Sequence, residues 1–301
     1  MSLMNRTQRI TSDWLLQSGL VGDELVLEAL LRRGFLAFRD DQGVWLGTGS
    51  HPEDLHVLSL AVGLAVESIS GYPDRMARVN WQSSGMTAID VAIRIVALPE
   101  NRGFIGIGDM PFMPFRRWGH TWVAYRNMVW GNMVATCPTR LMHERPLGYI
   151  ALDLGVALLV KVLPLARVAT NAWSCDGHGR GPATIRFRFN WDASWGKTVF
   201  DVLAGSTPDS TWKWNRDLQV ATQGEYGDAQ VLGMLNDIQH FSRRLLDQST
   251  IDRIGRARAR TLAACGKSTP IAERFAQEAR HQLAEEFPTG IRLKVSNQDR
   301  E

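Results

Sequence analysis

Cysteine is scarce in this chain, and the few cysteines present do not form the framework of a disulfide-rich protein. Three occur in 301 residues, at Cys137, Cys175 and Cys265. An odd and sparse set is typical of proteins from a reducing compartment. The N-terminal stretch also lacks the apolar core of a secretory signal. We therefore expect a cytoplasmic protein.

Long apolar segments are missing as well. The longest apolar run spans residues 147–168, and Asp153, Lys161 and Pro164 interrupt it. A membrane-spanning helix needs about 20 mostly apolar residues without such interruptions. The run therefore predicts a buried helix, and we expect no association with a membrane.

A large charge of one sign is the third absence. Lys and Arg total 34 and Asp and Glu total 31, which gives a net charge of +3. So small an excess does not by itself indicate a nucleic-acid-binding protein. Any such function depends on where the basic residues are placed along the chain.

Hydrophobic periodicity predicts an α+β fold. Helical spacing occurs in four segments, at residues 22–34, 86–98, 148–163 and 191–205. A serine-to-glutamate capping box at residues 50–53 predicts a further helix that reaches about residue 70. Two short apolar segments predict a β-hairpin over 35–47. Because helices and strands do not alternate strictly, we expect a mixed or antiparallel sheet packed with helices.

The composition changes in the last third of the chain. Residues 206–227 are polar and rich in turn formers, which is typical of a linker. From Asp228 to Phe287 the pattern is helical, in about three segments. We therefore expect an α+β body over 1–205 and a helical C-terminal part over 228–301. A single domain over the whole chain is the alternative.

A glycine-rich segment, SCDGHGRG at 174–181, carries the most unusual combination of residues. Strand patterns at 166–173 and 183–189 flank it, so we expect a strand–loop–strand unit. Alternating glycines let successive backbone N–H groups point into one concavity, and arginine binds phosphate or carboxylate through paired hydrogen bonds. The residues expected to bind an anion here are Gly177, His178, Gly179, Arg180, Arg186 and Arg188.

The same loop allows two other chemistries and one structural role. Cys175 and His178 have the spacing of two zinc ligands on one turn, and Cys137 with His143 is a second candidate pair. Cys175, His178 and Asp176 could instead form a nucleophile, its base and an orienting carboxylate. The structural alternative is a tight turn formed by aspartate and glycine, with the cysteine buried. We expect no obligate cofactor, and zinc is the metal that these residues would bind.

The segment resembles a motif of uncharacterised proteins from phages and integrative elements. Those proteins carry Cys-Asp-Gly-His-Gly or Cys-Cys-Gly-His-Gly between two strands, and this chain has Cys-Asp-Gly-His-Gly at 175–179. The resemblance covers residues 168–200. It implies an origin in a mobile genetic element rather than a particular activity. Asp176 stands where some of those proteins have a small residue, so a paired-cysteine site is not implied.

A second basic segment lies in a loop rich in proline and aromatic residues at 110–122. It contains Arg116, Arg117 and Trp118. Arginine next to aromatic side chains suits stacking on bases together with phosphate contact. The structural alternative is a long loop that folds its aromatic residues into the core.

A third basic segment, residues 243–260, has a helical pattern. Arg253, Arg256 and Arg260 recur at intervals of three and four and predict a basic stripe that contacts phosphate. The structural alternative is a solvated helix face whose arginines pair with acidic residues.

Together the three segments indicate a nucleic-acid-associated protein of a phage or integrated element, such as a subunit of a nucleoprotein complex. Two other classes stay open. One is a metal-dependent phosphoester hydrolase with Cys175, Asp176 and His178 near the metal. The other is a protein that binds or inhibits a host factor through exposed tryptophans, of which the chain has 11 in total. The expected partner is thus nucleic acid or another protein.

Overall fold

The structure is a computed structural model with side chains. The residues that it describes are 6–47, 52–67, 75–98, 116–118, 121–123, 154–168, 176–177, 181–186, 190–204, 212–216, 219–222, 227–266 and 272–288. They form an α+β fold in which antiparallel sheets are packed with helices and the C-terminal part is helical. The expected fold class is confirmed.

Helices dominate the described ranges. They are α1 (Arg6–Gln17), α2 (Gly22–Arg33), α3 (Pro52–Val57), α4 (Ala88–Val96), α5 (Leu154–Val162), α6 (Asn190–Ala204), α7 (Asp228–Leu246), α8 (Gln248–Cys265) and α9 (Ala272–Glu286). A π-helical turn (Leu58–Val62) continues α3, and short 3₁₀ turns lie at Gln82–Ser84 and Leu163–Ala166. The three helical segments expected after residue 228 are confirmed as α7, α8 and α9.

The strands in the described ranges form three antiparallel sheets. They are β1 (Ala37–Asp40), β2 (Gly43–Gly47), β3 (Ala65–Glu67), β4 (Arg75–Asn80), β5 (Arg116–Trp118), β6 (Thr121–Val123), β7 (Thr184–Arg186), β8 (Trp212–Arg216) and β9 (Gln219–Thr222). The orders are β1-β2-β4-β3, β5-β6 and β7-β9-β8. The hairpin expected over 35–47 is the β1–β2 pair, in which Phe38 lies opposite Trp45.

Helix α2 ends at a close approach to α5. Gly34 follows α2 with a φ of 96°, a left-handed conformation that glycine adopts readily. A Cβ at Gly34 would lie 2.5 Å from the Cβ of Ala157. The glycine therefore both ends α2 and lets α5 pack against this end of it.

The helix expected to run from residue 50 to about 70 is shorter in the structure. Gly63 has a left-handed φ of 79° and follows the π-helical turn. The Leu64 N–H then donates a hydrogen bond to the Leu58 carbonyl, 3.0 Å away. The chain continues as β3, whose Val66 lies opposite Val79 of β4. The extended helix was wrong, because the glycine ends the helical turn and β-branched residues join the sheet.

The segment expected to be a linker contains two strands, β8 and β9. Ile185 of β7 lies opposite Val220 of β9, and Trp214 of β8 lies opposite Val220 from the other side. The partner of β7 among the described residues is therefore β9. Of the strand expected over 166–173, Ala166 instead belongs to a 3₁₀ turn, and 169–173 lies outside the described residues. Apolar residues alternate with polar ones in β8 and β9, so the segment forms strands despite its polar composition.

One hydrophobic cluster joins helices from both ends of the chain. Leu30 of α2, Leu159 of α5, Trp195 of α6 and Phe275 of α9 are all buried members of it. Trp195 and Phe275 make a T-shaped contact with ring centroids 6.4 Å apart. The domain boundary expected near residues 206–227 stays a prediction. In the parts that the structure describes, no helix is long and apolar enough to cross a membrane.

Candidate nucleic-acid interface

Asp176 of the glycine-rich motif lies at the start of helix α5. Its carboxylate is fully buried, and its Oδ2 accepts a hydrogen bond from the Gly155 N–H at 3.1 Å. The first N–H groups of a helix have no partner inside the helix, and a carboxylate there also stabilises the helix dipole. Asp176 therefore supports α5, a role that its position in the sequence does not indicate.

Gly177 forms the turn after Asp176. Its φ is 75°, and its carbonyl accepts a hydrogen bond from the Gly181 N–H at 3.2 Å. A Cβ at Gly177 would lie 3.0 Å from the Pro182 carbonyl oxygen. Both the left-handed φ and the short distance favour glycine at this position. The neighbouring candidates of the motif, Cys175, His178, Gly179 and Arg180, lie outside the described residues.

The sheet that follows the motif collects basic residues from two strands. Arg186 of β7 and Arg216 of β8 both lie opposite Gln219 of β9, so the three form one row across the sheet. Lys213 lies opposite Ala221, which also lies opposite Thr184, in the row two steps away. Rows two steps apart belong to the same face of a sheet. Sequence reasoning named Arg186 and missed Lys213 and Arg216, because the pairing of β8 with β9 was not expected.

The central row of that sheet is apolar. Ile185, Val220 and Trp214 form it, and Ile185 is fully buried. A shift of register between Trp214 and Arg216 leaves Asn215 without an opposite residue and brings Arg216 level with Gln219. The apolar row thus belongs to the core face, and the basic rows belong to the other. Arg188 lies outside the described residues.

Arg116, Arg117 and Trp118 lie on strand β5, where sequence reasoning expected a loop. Strands β5 and β6 form a hairpin in which Arg117 lies opposite Trp122 and Trp118 opposite Thr121. The pairing of these two short strands takes the place of the expected loop at 116–118 and 121–123. Trp122, which sequence reasoning did not name, is paired in register with an arginine.

The arginine stripe of 253–260 lies on α8, as expected, and it faces helix α9. Arg256 and Arg260 each donate to a Glu286 carboxylate oxygen at 2.8 Å. The guanidinium of Arg253 lies 4.0 Å from the ring centroid of Phe287. Hydrogen bonds from Arg256 and then Arg260 lower the pKa of Glu286. Two arginines of the stripe are thus paired with an acidic residue and join α8 to α9.

The metal and tryptophan hypotheses gain no support from the described parts of the chain. Among the described residues, no group of three or more His, Cys, Asp or Glu side chains is arranged to hold a metal ion. The four zinc candidates lie outside the described residues, so zinc stays a prediction; they are Cys137, His143, Cys175 and His178. The tryptophan side chains that the structure describes are buried or half-buried, namely Trp14, Trp45, Trp81, Trp195 and Trp212.

The fold and this sheet define an α+β protein with a row of basic positions on one small antiparallel sheet. No protein-family model, curated protein or solved structure matches the chain.

Proposed function

We propose that this protein binds nucleic acid through the basic rows of the β7-β9-β8 sheet and the glycine turn before it. The observation that carries the proposal is that Arg186 and Arg216 both lie opposite Gln219. Lys213 adds a third basic position on the same face. The resemblance of the motif to phage and integrative-element proteins adds the expectation of a role in a nucleoprotein complex.

The spacing of these positions favours a polymer over a single small anion. Neighbouring strands lie about 4.8 Å apart, so the backbones at Arg186 and Arg216 are about 10 Å apart across β9. A nucleic-acid strand presents a series of phosphates, one for every ~3.4 Å of helix axis. Several phosphates therefore come within reach of three basic residues that are spread over a sheet.

The composition of the strands supports the same proposal, although Asp217 follows Arg216 in the chain. None of the three strands contains an acidic residue, and Gln219 between the two arginines is uncharged. The three strands therefore supply no carboxylate for this row, whereas on α8 Glu286 accepts from both Arg256 and Arg260. We therefore assign phosphate contact to the sheet before the helix.

Fluorescence anisotropy with labelled mixed-sequence DNA and RNA at low salt tests the proposal. The test variant carries Arg186→Gln, Lys213→Gln and Arg216→Gln. The matched control carries Arg94→Gln, Arg274→Gln and Arg280→Gln, which removes the same charge at exposed helical positions. We expect the test variant to bind at least tenfold more weakly and the control to bind nearly as tightly as the unchanged chain. Absence of binding by the unchanged chain, or equal weakening in both variants, would contradict the proposal.

A further inference from the structure

A cleft of about 700 Å³ opens between α1, α2, strand β1 and the junction of α7 with α8. Its apolar lining consists of Trp14, Leu20, Leu27, Leu31, Ala37, Phe38 and Leu246. Leu31 and Ala37 are buried and form its floor. Charged side chains complete the lining, and a cleft of this size that combines apolar walls with converging polar groups is a usual form of a small-molecule site.

Trp14 is held in place at one wall of the cleft. The guanidinium carbon of Arg32 lies 3.9 Å from the centroid of the Trp14 ring, a cation–π contact. Arg32 itself is buried and donates through Nη2 to Asn236 at 2.9 Å. The Trp14 ring is therefore packed against a buried guanidinium in the chain alone, an arrangement that favours preorganised binding.

The carboxylates of Glu24, Glu28 and Asp247 line the cleft together with Arg39 and Arg243, and Glu28 forms a cluster with two arginines. Glu28 accepts a hydrogen bond from Arg32 at 2.9 Å on one oxygen and from Arg243 at 2.6 Å on the other. One carboxylate thus serves two guanidinium groups, and this cluster of three has a net charge of +1. The Arg32 side chain is 1 % exposed, whereas that of Arg243 is 52 % exposed. The accessible part of the positive charge is therefore at Arg243, which lines the cleft.

The hydrogen-bonding capacity of the lining residues also favours an anionic ligand at Arg243. Oδ2 of Asp247 already accepts from the backbone N–H and the hydroxyl of Thr250, both at 2.8 Å. Glu24 lies 3.3 Å from Arg39. A guanidinium has five N–H donors, so Arg243 retains donors beyond the one that it gives to Glu28.

We propose that the cleft binds an amphipathic carboxylate, with its carboxylate on Arg243 beside Glu28 and its hydrocarbon part against Trp14, Leu27 and Leu31. The added carboxylate gives the three-residue cluster a second negative charge and balances its two guanidinium groups. The apolar part of the ligand covers Trp14 and Leu27, which are half-buried in the chain alone, and reaches Leu31 at the floor. The carboxylate of the ligand thus matches Arg243, and its hydrocarbon part matches the apolar wall.

Calorimetry with the full chain and decanoate, below the concentration at which decanoate forms micelles, tests this site. Acetate and decylamine serve as probes that retain only the carboxylate or only the hydrocarbon chain. We expect saturable binding of decanoate and at least tenfold weaker binding of the other two. Equal binding of decylamine would overturn the role of Arg243, and equal binding of acetate would overturn the role of the apolar wall.

Variants of Arg243 distinguish specific binding in the cleft from a general attraction of anions to the positive charge of the chain. Arg243→Gln removes the charge and is expected to weaken decanoate binding about tenfold or more, since hydrogen bonds to charged groups are the strong ones. Arg243→Lys keeps the charge and is expected to fall between Gln and the unchanged chain. Arg94→Gln, at an exposed position of α4, is the control for charge. A decanoate affinity that Arg243→Gln leaves unchanged, in protein shown by circular dichroism to be folded, would overturn the proposal.

Discussion

The carboxylate of Asp176 accepts a hydrogen bond from the backbone N–H of Gly155, 3.1 Å away, at the first turn of α5. This hydrogen bond gives the most unusual motif of the sequence a structural role in addition to any binding role. It fixes the start of the glycine turn on the buried helix. The basic sheet then follows within a few residues, so the same turn also positions β7.

Removal of the Asp176 carboxylate is expected to destabilise the fold. Asp176→Ala leaves the Gly155 N–H buried and without this acceptor, a change that costs about 1–3 kcal/mol. Asp176→Asn keeps a side-chain oxygen acceptor and is expected to be less destabilising. Urea unfolding followed by circular dichroism measures both. An Asp176→Ala variant as stable as the unchanged chain would contradict this role.

Gly155 and Gly255 provide a matched pair of helical glycines. Alanine at a helix-interior glycine normally stabilises by about 0.5–1 kcal/mol. At Gly155, however, the new Cβ would lie 2.6 Å from Met234 Cε and 2.8 Å from Asp176 Cβ, whereas at Gly255 nothing lies within 4 Å. We therefore expect Gly155→Ala to lower the melting temperature and Gly255→Ala to raise it. Stabilisation by both substitutions would show that α5 does not pack as described.

Alanine substitutions at Gly34 and Gly63 distinguish a steric clash with a neighbouring helix from backbone strain alone. Both have a left-handed φ, but a Cβ at Gly34 would lie 2.5 Å from Ala157 Cβ, while Gly63 has open space around it. Gly63→Ala is expected to cost about 1 kcal/mol, the usual penalty of a left-handed alanine. Gly34→Ala is expected to cost clearly more, because α5 must also shift. Equal destabilisation in chemical unfolding would contradict the close contact of α2 with α5.

The pairing of Glu286 with Arg256 and Arg260 predicts a pH dependence. These partners lower the pKa of Glu286 in the folded chain. A lowered folded-state pKa contributes stability that is complete above the unfolded pKa, about 4.3, and is lost as the pH falls through the folded value. We expect Glu286→Gln to be less stable than the unchanged chain at pH 7, and the difference to disappear in acid. A difference that does not shrink at all between pH 7 and about pH 3 would assign the effect to packing rather than charge.

Local features of this fold could be predicted from the sequence because neighbouring residues determine them. Gly34 ends α2 where the pattern placed a helix end, and the β1–β2 hairpin lies where two apolar segments flank a turn. The capping box of Thr87 with Asp90 begins α4 in the structure. The capping box expected at residues 50–53 lies largely outside the described residues.

The candidate site could be predicted only in part, because its members meet through long-range pairing. Arg186 was identified from alternation within one strand, but Arg216 joins its row through β9, which sequence reasoning placed in a linker. Likewise Glu28 and Arg243 are 215 residues apart in the chain. Hydrophobic periodicity indicates which face of a helix or strand a residue occupies, but it does not indicate which residue from a distant part of the sequence it contacts.

The salt dependence of nucleic-acid binding tests the central claim most directly. Removing one phosphate-binding cation lowers the slope of log K against log salt by about 0.9 for duplex DNA, so the Arg186, Lys213 and Arg216 triple variant is expected to show a slope smaller by about 2 to 3. The Arg94, Arg274 and Arg280 control is expected to keep the slope of the unchanged chain. A triple variant whose affinity and slope both equal those of the unchanged chain would show that the basic sheet does not contact phosphate.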